Sequence, residues 1–526
     1  MALPDGYNWF LIILTIALSL VLVAANVYIL IHYQHPDDVN QAWFPKIVVV
    51  MSLWLAMAMV LLFPLDVANR AACNFSIVES SCKYALPMQK MWQAAFISNL
   101  VLTFFFIPFT MFYYEGDSDY SCGLRIKNAL LWTLAMAVVL GLAIGVAYGL
   151  AGYVEYPTQE LLSGMLPLEQ LPQLPNTTGR CILPGQGFAG FSAANIARKD
   201  GCTAFNSAFY GATWTMRVSF PVYIMAIQSV IGWILFLVFA GWGIFAAPID
   251  WIFQYIRRPK AVITKSEYIE RARGLAMRAK DIKVTAEILK RQEREVGRNR
   301  HWRSNFKQLQ RQLIQLEEDE VVLDSVFPQG QDGEVRWVMY QLGYIGTGLM
   351  GLIGLCVSGC WLAHIIVYML PPIPIHPLLN EVFIKLDGVF PLFGVAAFAA
   401  FCGYLLIVAI KGNFLLGLNF LVISLYPIRV GATLMSSFLV NTALILAMSS
   451  AVIQFCASAF ASYANSTQIF DVFGNQVMYL KGLRYIYQFN IFLYMFMGIM
   501  GISIIVMVIK GPGKWKRAQR EDAYKF

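Results

Sequence analysis

The run HYQHPDD at residues 32–38 comes closest to a metal site in its residue types. Imidazole and carboxylate groups are common metal ligands, and this run holds two of each. Two histidines ligate from one helix only if they share a face, and Pro36 breaks a helix at this point. The run is therefore predicted to form a capped turn at the end of a membrane span. No metal and no cofactor are expected.

Motifs of enzymes and pumps are absent from the sequence. It contains no GxxxxGK[ST], HExxH or GxSxG, which argues against an ATPase, a zinc protease or a serine hydrolase. No Asp, Glu, Lys or Arg lies near the middle of a predicted span, where ion-coupled pumps place them. The polar candidates inside spans are Asn26, Asn99, Gln228, Asn441 and Gln454. They could line a pathway, but hydrogen bonds between helices are the commoner role. The sequence therefore predicts a protein that is not an enzyme.

Four of the nine cysteines fall in two predicted outer loops, with Cys73 and Cys82 in one and Cys181 and Cys202 in the other. Two cysteines per loop on the oxidising side of a membrane indicate two local disulfides, Cys73–Cys82 and Cys181–Cys202. Four free thiols are the alternative. The other five cysteines are expected to be reduced.

Three sequons of the type Asn-x-Ser/Thr begin at Asn74, Asn176 and Asn465. All three lie on the predicted outer side, the only side on which N-glycans are added. The sequence therefore predicts a glycoprotein.

Gly141, Gly145 and Gly149 form a GxxxGxxxG stripe in the fourth predicted span. Such stripes let a second helix approach closely. Packing within the chain is the default interpretation, and a homodimer contact is the sharper alternative.

The elements that carry these residues follow from composition. Of 526 residues, 58% are hydrophobic and only 13% are charged, against about 25% charged in soluble proteins. This excludes a soluble or disordered protein and predicts an all-α polytopic membrane protein without a nucleic-acid partner. Nine stretches have the roughly 20 apolar residues of a span: Trp9–Tyr33, Phe44–Pro64, Met91–Tyr114, Ala129–Ala151, Phe220–Phe245, Val338–Leu370, Val389–Ile410, Ala432–Ala459 and Ile491–Ile509.

The basic residues predict an orientation. With the N-terminus outside, Lys and Arg divide into 29 cytosolic and 10 non-cytosolic residues, which together make the 39 in the chain. This agrees with the positive-inside rule. Residues 411–429 are largely apolar but too short to cross, and a crossing there would place the basic tail outside. We expect a re-entrant or interfacial segment.

Residues 257–336 form the one sizeable polar segment, with 18 basic and 13 acidic residues. Apolar residues alternate at spacings of four and three from Tyr268 to Leu289 and again from Trp302 to Leu323, which predicts an antiparallel coiled-coil hairpin in the cytosol. The predicted organisation is a first membrane half at 1–256 with outer loops 65–90 and 152–219, the hairpin, a second half at 337–510, and a cytosolic basic tail at 511–526.

Several segments together resemble one family. They are YQHPDD at 33–38, DVANR at 66–70, YEGD at 114–117, RRPKAVIT at 257–264, NEVFIKLD at 380–387 and VIQFCA at 452–457. They resemble the limb-region-1-like (LIMR) family, which includes the lipocalin-interacting membrane receptor and the lysosomal cobalamin transport escort protein. The resemblance implies nine spans, a lumenal N-terminus, a cytosolic C-terminus and a long cytosolic loop.

The resemblance also implies two functions. The first is help in moving a small molecule such as cobalamin across a lysosomal or other endomembrane, together with an ABC-type transporter. The alternative is a cell-surface or endocytic receptor for a lipocalin-like or other extracellular ligand. The bilayer is the one partner that the composition itself requires.

Overall fold

The structure is a computed structural model. It describes residues 9–35, 38, 43–74, 86–116, 121–159, 211–256, 258, 265–296, 300–327, 333–371, 374–390, 392–416, 419–420, 423–424, 431, 433–465 and 467–510. The outer-loop cysteines Cys82, Cys181 and Cys202 and the sequon at Asn176 lie outside these residues. The side chains of Cys73 and Asn74 do so as well.

Helices dominate the described chain. In chain order the elements are α1 (Trp9–Tyr33), α2 (Trp43–Asn74), α3 (Met88–Val101), a π-helical turn (Leu102–Phe106), α4 (Ile107–Tyr114), α5 (Cys122–Ala151), β1 (Tyr153–Gln159), β2 (Gly211–Arg217), α6 (Phe220–Ile256), α7 (Lys265–Val296) and α8 (Arg300–Val326). They continue with α9 (Gly333–His364), a π-helical turn (Ile365–Met369), α10 (Leu378–Val389), α11 (Phe393–Leu416), β3 (Asn419–Phe420), β4 (Ile423–Ser424), α12 (Met435–Ala459), α13 (Gln468–Phe470), a π-helical turn (Asp471–Gln476), a 3-10 turn (Val477–Tyr479), α14 (Leu483–Gln488) and α15 (Ile491–Lys510).

Eight helices in the described part of the chain are long and apolar enough to cross a membrane. They are α1, α2, the continuous helix α3–α4, α5, α6, α9 with its π-helical turn, α11 and α12. A helix satisfies its backbone groups internally, which is why apolar segments of this length fold as helices in lipid. The all-α polytopic fold is therefore confirmed. The ninth predicted span forms as α15, but its described apolar part, Ile491–Met507, is shorter than the other eight.

The chain forms two compact units, and their boundaries lie inside α6, α9 and α15. The first unit comprises Met1–Gly241 and His364–Ile499. Its most buried span is α12, which contacts α2 along its length. At Gly232 of α6 the backbone of α12 comes so close that a Cβ there would collide with the Ala447 carbonyl oxygen. A larger residue at 232 would force the two helices apart.

The second unit comprises Trp242–Ala363 and Met500–Phe526. Here α9 packs on the C-terminal half of α6, and a Cβ at Gly351 would lie 2.9 Å from the Pro248 carbonyl oxygen. Ser503 of α15 donates to the Trp242 carbonyl over 2.8 Å. Such small-residue contacts are typical of helices that pack inside a membrane.

Helices α7 and α8 form an antiparallel helical hairpin in the second unit. The Tyr268 ring at the start of α7 stacks on Phe327 just beyond α8, with centroids 4.7 Å apart. At the other end, the Trp302 indole N–H donates to the Leu289 carbonyl over 3.0 Å. Phe306, four residues after Trp302 and so a position of the predicted seam, is 46% exposed. The regular packing of a coiled coil therefore stays a prediction, as does the cytosolic location.

The two ends of the predicted outer loop 152–219 form a two-stranded stem. β1 and β2 pair antiparallel over seven residues each, from Tyr153 opposite Arg217 to Gln159 opposite Gly211. The stem is attached to the segment before α15, since Lys481 N–H donates to the Tyr153 carbonyl over 2.8 Å.

Residues 411–429 do not contribute a further spanning helix among their described positions. α11 continues to Leu416, and β3 then pairs with β4 in a short hairpin, with Asn419 opposite Ser424. Whether this segment enters the membrane stays open as a prediction.

Candidate functional site

Asp38 connects three distant parts of the first unit. Its Oδ2 accepts a hydrogen bond from the backbone N–H of Met435, the first residue of α12, over 3.2 Å. Its Oδ1 accepts from the Tyr114 hydroxyl over 2.7 Å. A carboxylate at a helix N-terminus satisfies an unpaired N–H group and interacts favourably with the helix dipole. Asp38 therefore caps the start of α12.

Asp66 plays the same role at a second helix start. It is fully buried, and its Oδ2 accepts from the Trp92 indole over 2.9 Å and from Ile469 N–H over 3.1 Å. Ile469 belongs to α13, whose first residue is Gln468. The Asp66 carboxylate thus ties the end of α2 to α3 and to the start of α13.

Asp387 repeats the pattern a third time. Its Oδ1 accepts from Gly394 N–H at the start of α11 over 2.8 Å, and its Oδ2 accepts from the Tyr463 hydroxyl over 2.6 Å. Burial, and then the bond to Asp387, raise the pKa of Tyr463 above its usual value. Three aspartates thus each accept from an aromatic side chain and from the backbone at the start of another helix, which is distant in the chain for Asp38 and Asp66 and the next helix along for Asp387.

All three aspartates come from segments that carry the family resemblance noted in the sequence. Their bonds fall into two groups. Asp38, Tyr114 and Met435 form one group, at ends of spans predicted to face the cytosol. The groups around Asp66 and Asp387 lie at ends predicted to face the lumen. The grouping agrees with the predicted alternation of the spans, and the absolute orientation stays a prediction.

No group of three or more metal-ligating side chains occurs among the residues that the structure describes. In the HYQHPDD run, the backbone of His35 donates to the Thr433 carbonyl over 3.0 Å and so pairs with the start of α12. The described part of the run thus begins as the end of α1 and pairs with the residues before α12, while Pro36 and Asp37 lie outside the described residues.

Polar residues inside the spans mostly connect helices. Asn99 donates to the Leu446 carbonyl over 3.1 Å, and Gln228 donates to the Phe96 carbonyl over 3.0 Å. The Gln454 amide oxygen accepts from the Trp233 indole over 2.8 Å. These bonds join α3 to α12, α6 to α3, and α12 to α6.

Two further residues complete the set of predicted polar candidates. The Asn441 amide oxygen accepts from the Asn413 side chain over 3.1 Å and so joins α12 to α11. Asn26 of α1 is fully buried, and within the described residues its amide makes no hydrogen bond. The commoner of the two predicted roles therefore applies to four of the five residues.

A polar cavity of about 250 Å³ lies in the first unit beside the Asp66–Trp92 bond. Three elements surround it: the start of α3, the start of α6, and α13 with its following π-helical turn. The polar lining residues are Gln89, Gln93, Ser219, Gln468, Asp471 and Gln476, and the apolar ones are Trp92, Val222, Met225 and Val472. All three elements adjoin segments predicted to be lumenal. No sequence motif marks this site, because its residues come from three distant regions and are common polar types.

The glycine stripe of α5 has no close neighbour in the described structure. A Cβ at Gly141, Gly145 or Gly149 would meet nothing within 4 Å. The predicted packing within the chain is therefore not seen there, and close approach occurs instead at Gly232 and Gly351. The homodimer alternative stays a prediction. α5 also borders an apolar groove of about 470 Å³ lined in part by residues such as Trp132 and Met136.

The remaining predicted site residues are a glycosylation acceptor and the cysteines. Asn465 is exposed in the turn after α12, which suits a glycosylation acceptor, although the modification itself stays a prediction. The five cysteines outside the predicted outer loops are free thiols: Cys122, Cys356, Cys360, Cys402 and Cys456. The two disulfides stay predictions.

Comparison with known proteins gives matches along nearly the whole chain. The family model described as LMBR1-like membrane protein matches residues 11–313 and 282–505. A LIMR family protein of Arabidopsis thaliana is 43% identical over 521 residues, which cover 99% of each chain. One of Oryza sativa subsp. japonica is 43% identical over 518 residues, 98% of each chain. One of Dictyostelium discoideum is 31% identical over 521 residues, 96% of this chain and 98% of the relative. No solved structure matches.

Proposed function

The chain belongs to the LMBR1-like, or LIMR, family of membrane proteins, and from this premise we propose that it is a non-enzymatic accessory protein of a transporter. In this role it assists the movement of a small molecule such as cobalamin across a lysosomal or related endomembrane. A partner of the ABC type supplies the energy, since the sequence has no nucleotide-binding motif.

The observation that carries this proposal is the use of the polar groups inside the membrane. Asn99, Asn441 and Gln454 each form a side-chain hydrogen bond with a neighbouring helix. Polar groups that join helices are not available to replace the water around a cargo in the bilayer. A chain built in this way is suited to support a transporter rather than to act as one.

The size of the polar cavity also supports a role in which the partner, and not this chain, carries the cargo. The polar cavity of about 250 Å³ is smaller than the roughly 300–1,000 Å³ of pockets for drug-sized ligands. Cobalamin is larger than such ligands, so under this proposal it passes through the partner. The accessory chain then acts by binding and stabilising that partner.

The helical hairpin offers a surface for the partner. On the side of α7 away from α8, Met277 is 61% exposed, Val284 49% and Ile288 53%. Three apolar side chains along one helix face outside the predicted spans are typical of a protein contact. We assign the partner contact to this outer face of α7.

The receptor alternative rests on a different feature, the stem of the predicted outer loop. β1 and β2 hold the two ends of residues 160–210 together. Arg484 forms an ion pair with Glu155 of β1 at 3.1 Å, and the Tyr156 hydroxyl donates to the Asn475 carbonyl over 2.9 Å. A loop presented on a fixed stem is suited to bind an extracellular ligand such as a lipocalin.

Purification of the tagged chain from its own cells in mild detergent tests the proposal. An ABC-type transporter should co-purify with wild type, and the double variant Met277→Glu/Val284→Glu should lose most of it. Lys283→Glu/Lys290→Glu is the matched control, because both lysines are exposed on α7 away from this apolar face. Deletion of residues 160–210 should leave the transporter bound.

The accessory role would be contradicted if no transporter co-purifies, or if it stays bound to the Met277→Glu/Val284→Glu variant. The cargo is tested separately. If knocking out the gene in a cobalamin-requiring cell leaves lysosomal and cytosolic cobalamin unchanged, cobalamin is discarded as the cargo. Loss of an extracellular ligand on deletion of 160–210 would favour the receptor.

A further inference from the structure

His364, the last residue of α9, bonds to the end of α12. The imidazole is fully buried in the first unit, and its Nε2 lies 2.8 Å from the carbonyl oxygen of Ala459, the last residue of α12. A carbonyl in the last turn of a helix has no partner within that helix, so a side-chain N–H can satisfy it. Because a carbonyl oxygen only accepts, Nε2 carries the ring proton and donates to Ala459.

The other ring nitrogen of His364 bonds to the start of α10. The backbone N–H of Leu379, in the first turn of that helix, donates to Nδ1 over 3.4 Å. The first N–H groups of a helix also lack partners within it. Since Nδ1 accepts here, the ring is neutral and its one proton is on Nε2. One neutral imidazole thus satisfies a carbonyl of α12 and an N–H of α10.

A second proton on the ring would reverse the role of Nδ1. An imidazolium carries a proton on both nitrogens, so an N–H would then face the N–H of Leu379. The added charge would also lie at the start of α10, where the partial charge of a helix is positive. The last carbonyls of α12 favour a cation at Nε2. Against this, the ring is fully buried, and Tyr368 and Phe460 stack on it with centroids 5.0 and 5.4 Å away. Because burial disfavours the charged form, the charged ring does not fit this site while α10 stays in place.

The acidic groups of α10 are engaged with other partners. Glu381 forms ion pairs with His376 at 3.0 Å and with Lys385 at 2.7 Å. A lower pH charges His376 and so strengthens the first of these pairs. Asp387, at the other end of α10, accepts from the Tyr463 hydroxyl over 2.6 Å. These carboxylates are therefore not placed to neutralise a charge on His364.

The remaining titratable group beside the ring is the phenol of Tyr368, on the π-helical turn after α9. Its hydroxyl is bonded to the Ser462 hydroxyl at 2.8 Å. A phenol stays uncharged at acidic pH, so it offers no counter-charge to an imidazolium.

We propose that His364 is an acid-sensitive switch that releases the start of α10 from the end of α12. The neutral ring holds the two helix ends together. In acid the ring takes up a proton, and the first turn of α10 separates so that water reaches the imidazolium. This end of α9 is predicted to face the lumen, so an acidic lumen operates the switch and a neutral one does not. The acid response does not depend on the accessory role, because every group in it belongs to the first unit.

The size of the response follows from linkage. A histidine in water titrates near pH 6.5, so the contact is complete above about pH 6.5 and is lost as the pH falls below it. The released form gains up to about tenfold in population for each pH unit below that value, because it binds one more proton than the closed form. Between pH 6.5 and pH 5.0 the gain is up to about thirtyfold.

Hydrogen exchange of the full-length protein in nanodiscs tests this proposal. Exchange is followed by mass spectrometry at pH 7.5 and pH 5.0 and corrected for the pH dependence of exchange in an unfolded peptide. In wild type, the protection of residues 378–389 should fall about tenfold or more at pH 5.0. Residues 435–455 of α12 should keep their protection.

Two variants identify the group that takes up the proton. His364→Gln should keep α10 protected at both pH values, because an amide offers a donor and an acceptor and is not protonated in this range. His376→Gln is the matched control. It removes a histidine that is 54% exposed and paired with Glu381, and its α10 should lose protection in acid as wild type does.

Each other result would overturn the proposal. If α10 of wild type is equally protected at pH 7.5 and pH 5.0, no acid switch exists there, whether or not His364→Gln folds. If α12 loses as much protection as α10, the acid unfolds the unit as a whole. If His364→Gln responds to acid like wild type, or if His376→Gln does not respond, another group takes up the proton. None of these results affects the co-purification of a transporter, which tests the accessory role by itself.

Discussion

Asp38, Asp66 and Asp387 are the three residues whose carboxylates join ends of helices in the first unit. Each carboxylate accepts from an aromatic side chain and from a backbone N–H group at the start of another helix. Hydrogen bonds to a charged group contribute about 1.5–3 kcal/mol each, more than bonds between neutral groups. Asp38 and Asp66 are buried, so loss of either partner leaves a buried acceptor less well satisfied there.

Tyr114→Phe removes one of these bonds without changing the shape of the ring. We expect the free energy of unfolding to fall by about 1–3 kcal/mol, because Asp38 is only 4% exposed and loses a hydroxyl donor. Tyr494→Phe is the control, since Tyr494 is 56% exposed and donates no side-chain bond in the described structure. Denaturant unfolding of both variants in the same detergent measures the difference, and an equal effect of the two would contradict the role of Asp38.

Tyr463 predicts a dependence of stability on alkaline pH. Its pKa is raised in the folded state, so above about pH 10 the unfolded chain loses the tyrosine proton while the folded chain keeps it. The contribution of Tyr463 is complete below pH 10 and decreases as the pH rises above it, by up to about 1.4 kcal/mol per pH unit. Unfolding at pH 9 to 11 should show a shallower decline for Tyr463→Phe than for wild type. Parallel declines would show that other groups cause it.

The sequence located these aspartates but not their roles. It placed Asp38, Asp66 and Asp387 in the segments that resemble the family, beside span ends. Their partners could not be predicted, because Asp38 is 397 residues from Met435 and Asp66 is 403 residues from Ile469. No local pattern encodes a pairing over that distance. The available signal was an acid beside a span end, where a helix start from another segment can lie.

At the scale of the elements too, the helices could be predicted from the sequence but the contacts between them could not. Eight of the nine predicted spans could be found because apolar length is a property of a single segment. Which glycine packs against which helix depends on the rotation of both helices. The regular spacing of Gly141, Gly145 and Gly149 therefore predicted close helix packing at that stripe. In the structure, the close approach of two helices lies at the isolated Gly232 instead.

Alanine substitutions separate the two kinds of glycine. Gly232→Ala should destabilise the protein by about 1–3 kcal/mol, because its Cβ meets a backbone carbonyl that cannot rotate away. Gly141→Ala should be neutral or stabilising by up to about 1 kcal/mol, because the space is open and alanine favours a helix. Thermal unfolding in detergent compares them. A destabilising Gly141→Ala that also dissociates a dimer would instead support the homodimer contact.

The helical hairpin offers a matched pair of neighbours. Leu289 is 5% exposed and faces α8, whereas Ile288 is 53% exposed. Leu289→Ala should cost about 2–5 kcal/mol, the usual range for a buried leucine, and Ile288→Ala much less. Limited proteolysis should cut the hairpin faster in Leu289→Ala only. Equal protection in both variants would mean that α7 and α8 do not depend on this seam.

At the scale of the whole molecule, contacts between loops indicate which loops lie on the same side of the membrane. The end of α1 and His35 pair with Thr433 just before α12, and the β1–β2 stem contacts Asn475, Lys481 and Arg484. Loops that touch lie on the same side of a membrane, so these contacts link segments that are far apart in the chain. They agree with the alternation predicted from the 29 and 10 basic residues of the two sides.

Sidedness can be measured directly in sealed vesicles. Single cysteines introduced into a background without the native exposed thiols, at Thr158 in the β1 stem and at Val284 in the hairpin, are labelled with a reagent that does not cross the bilayer. In vesicles with the cytosolic face outward, we expect Val284→Cys to react at once and Thr158→Cys only after detergent is added, since the positive-inside rule places the basic hairpin in the cytosol. A third cysteine at His35, whose backbone pairs with the start of α12, should behave like Val284→Cys. Reaction of Thr158→Cys and Val284→Cys from the same side would contradict the predicted number of crossings. If His35→Cys is labelled only after detergent is added, as expected for Thr158→Cys, then His35 does not lie on the same side of the membrane as the hairpin.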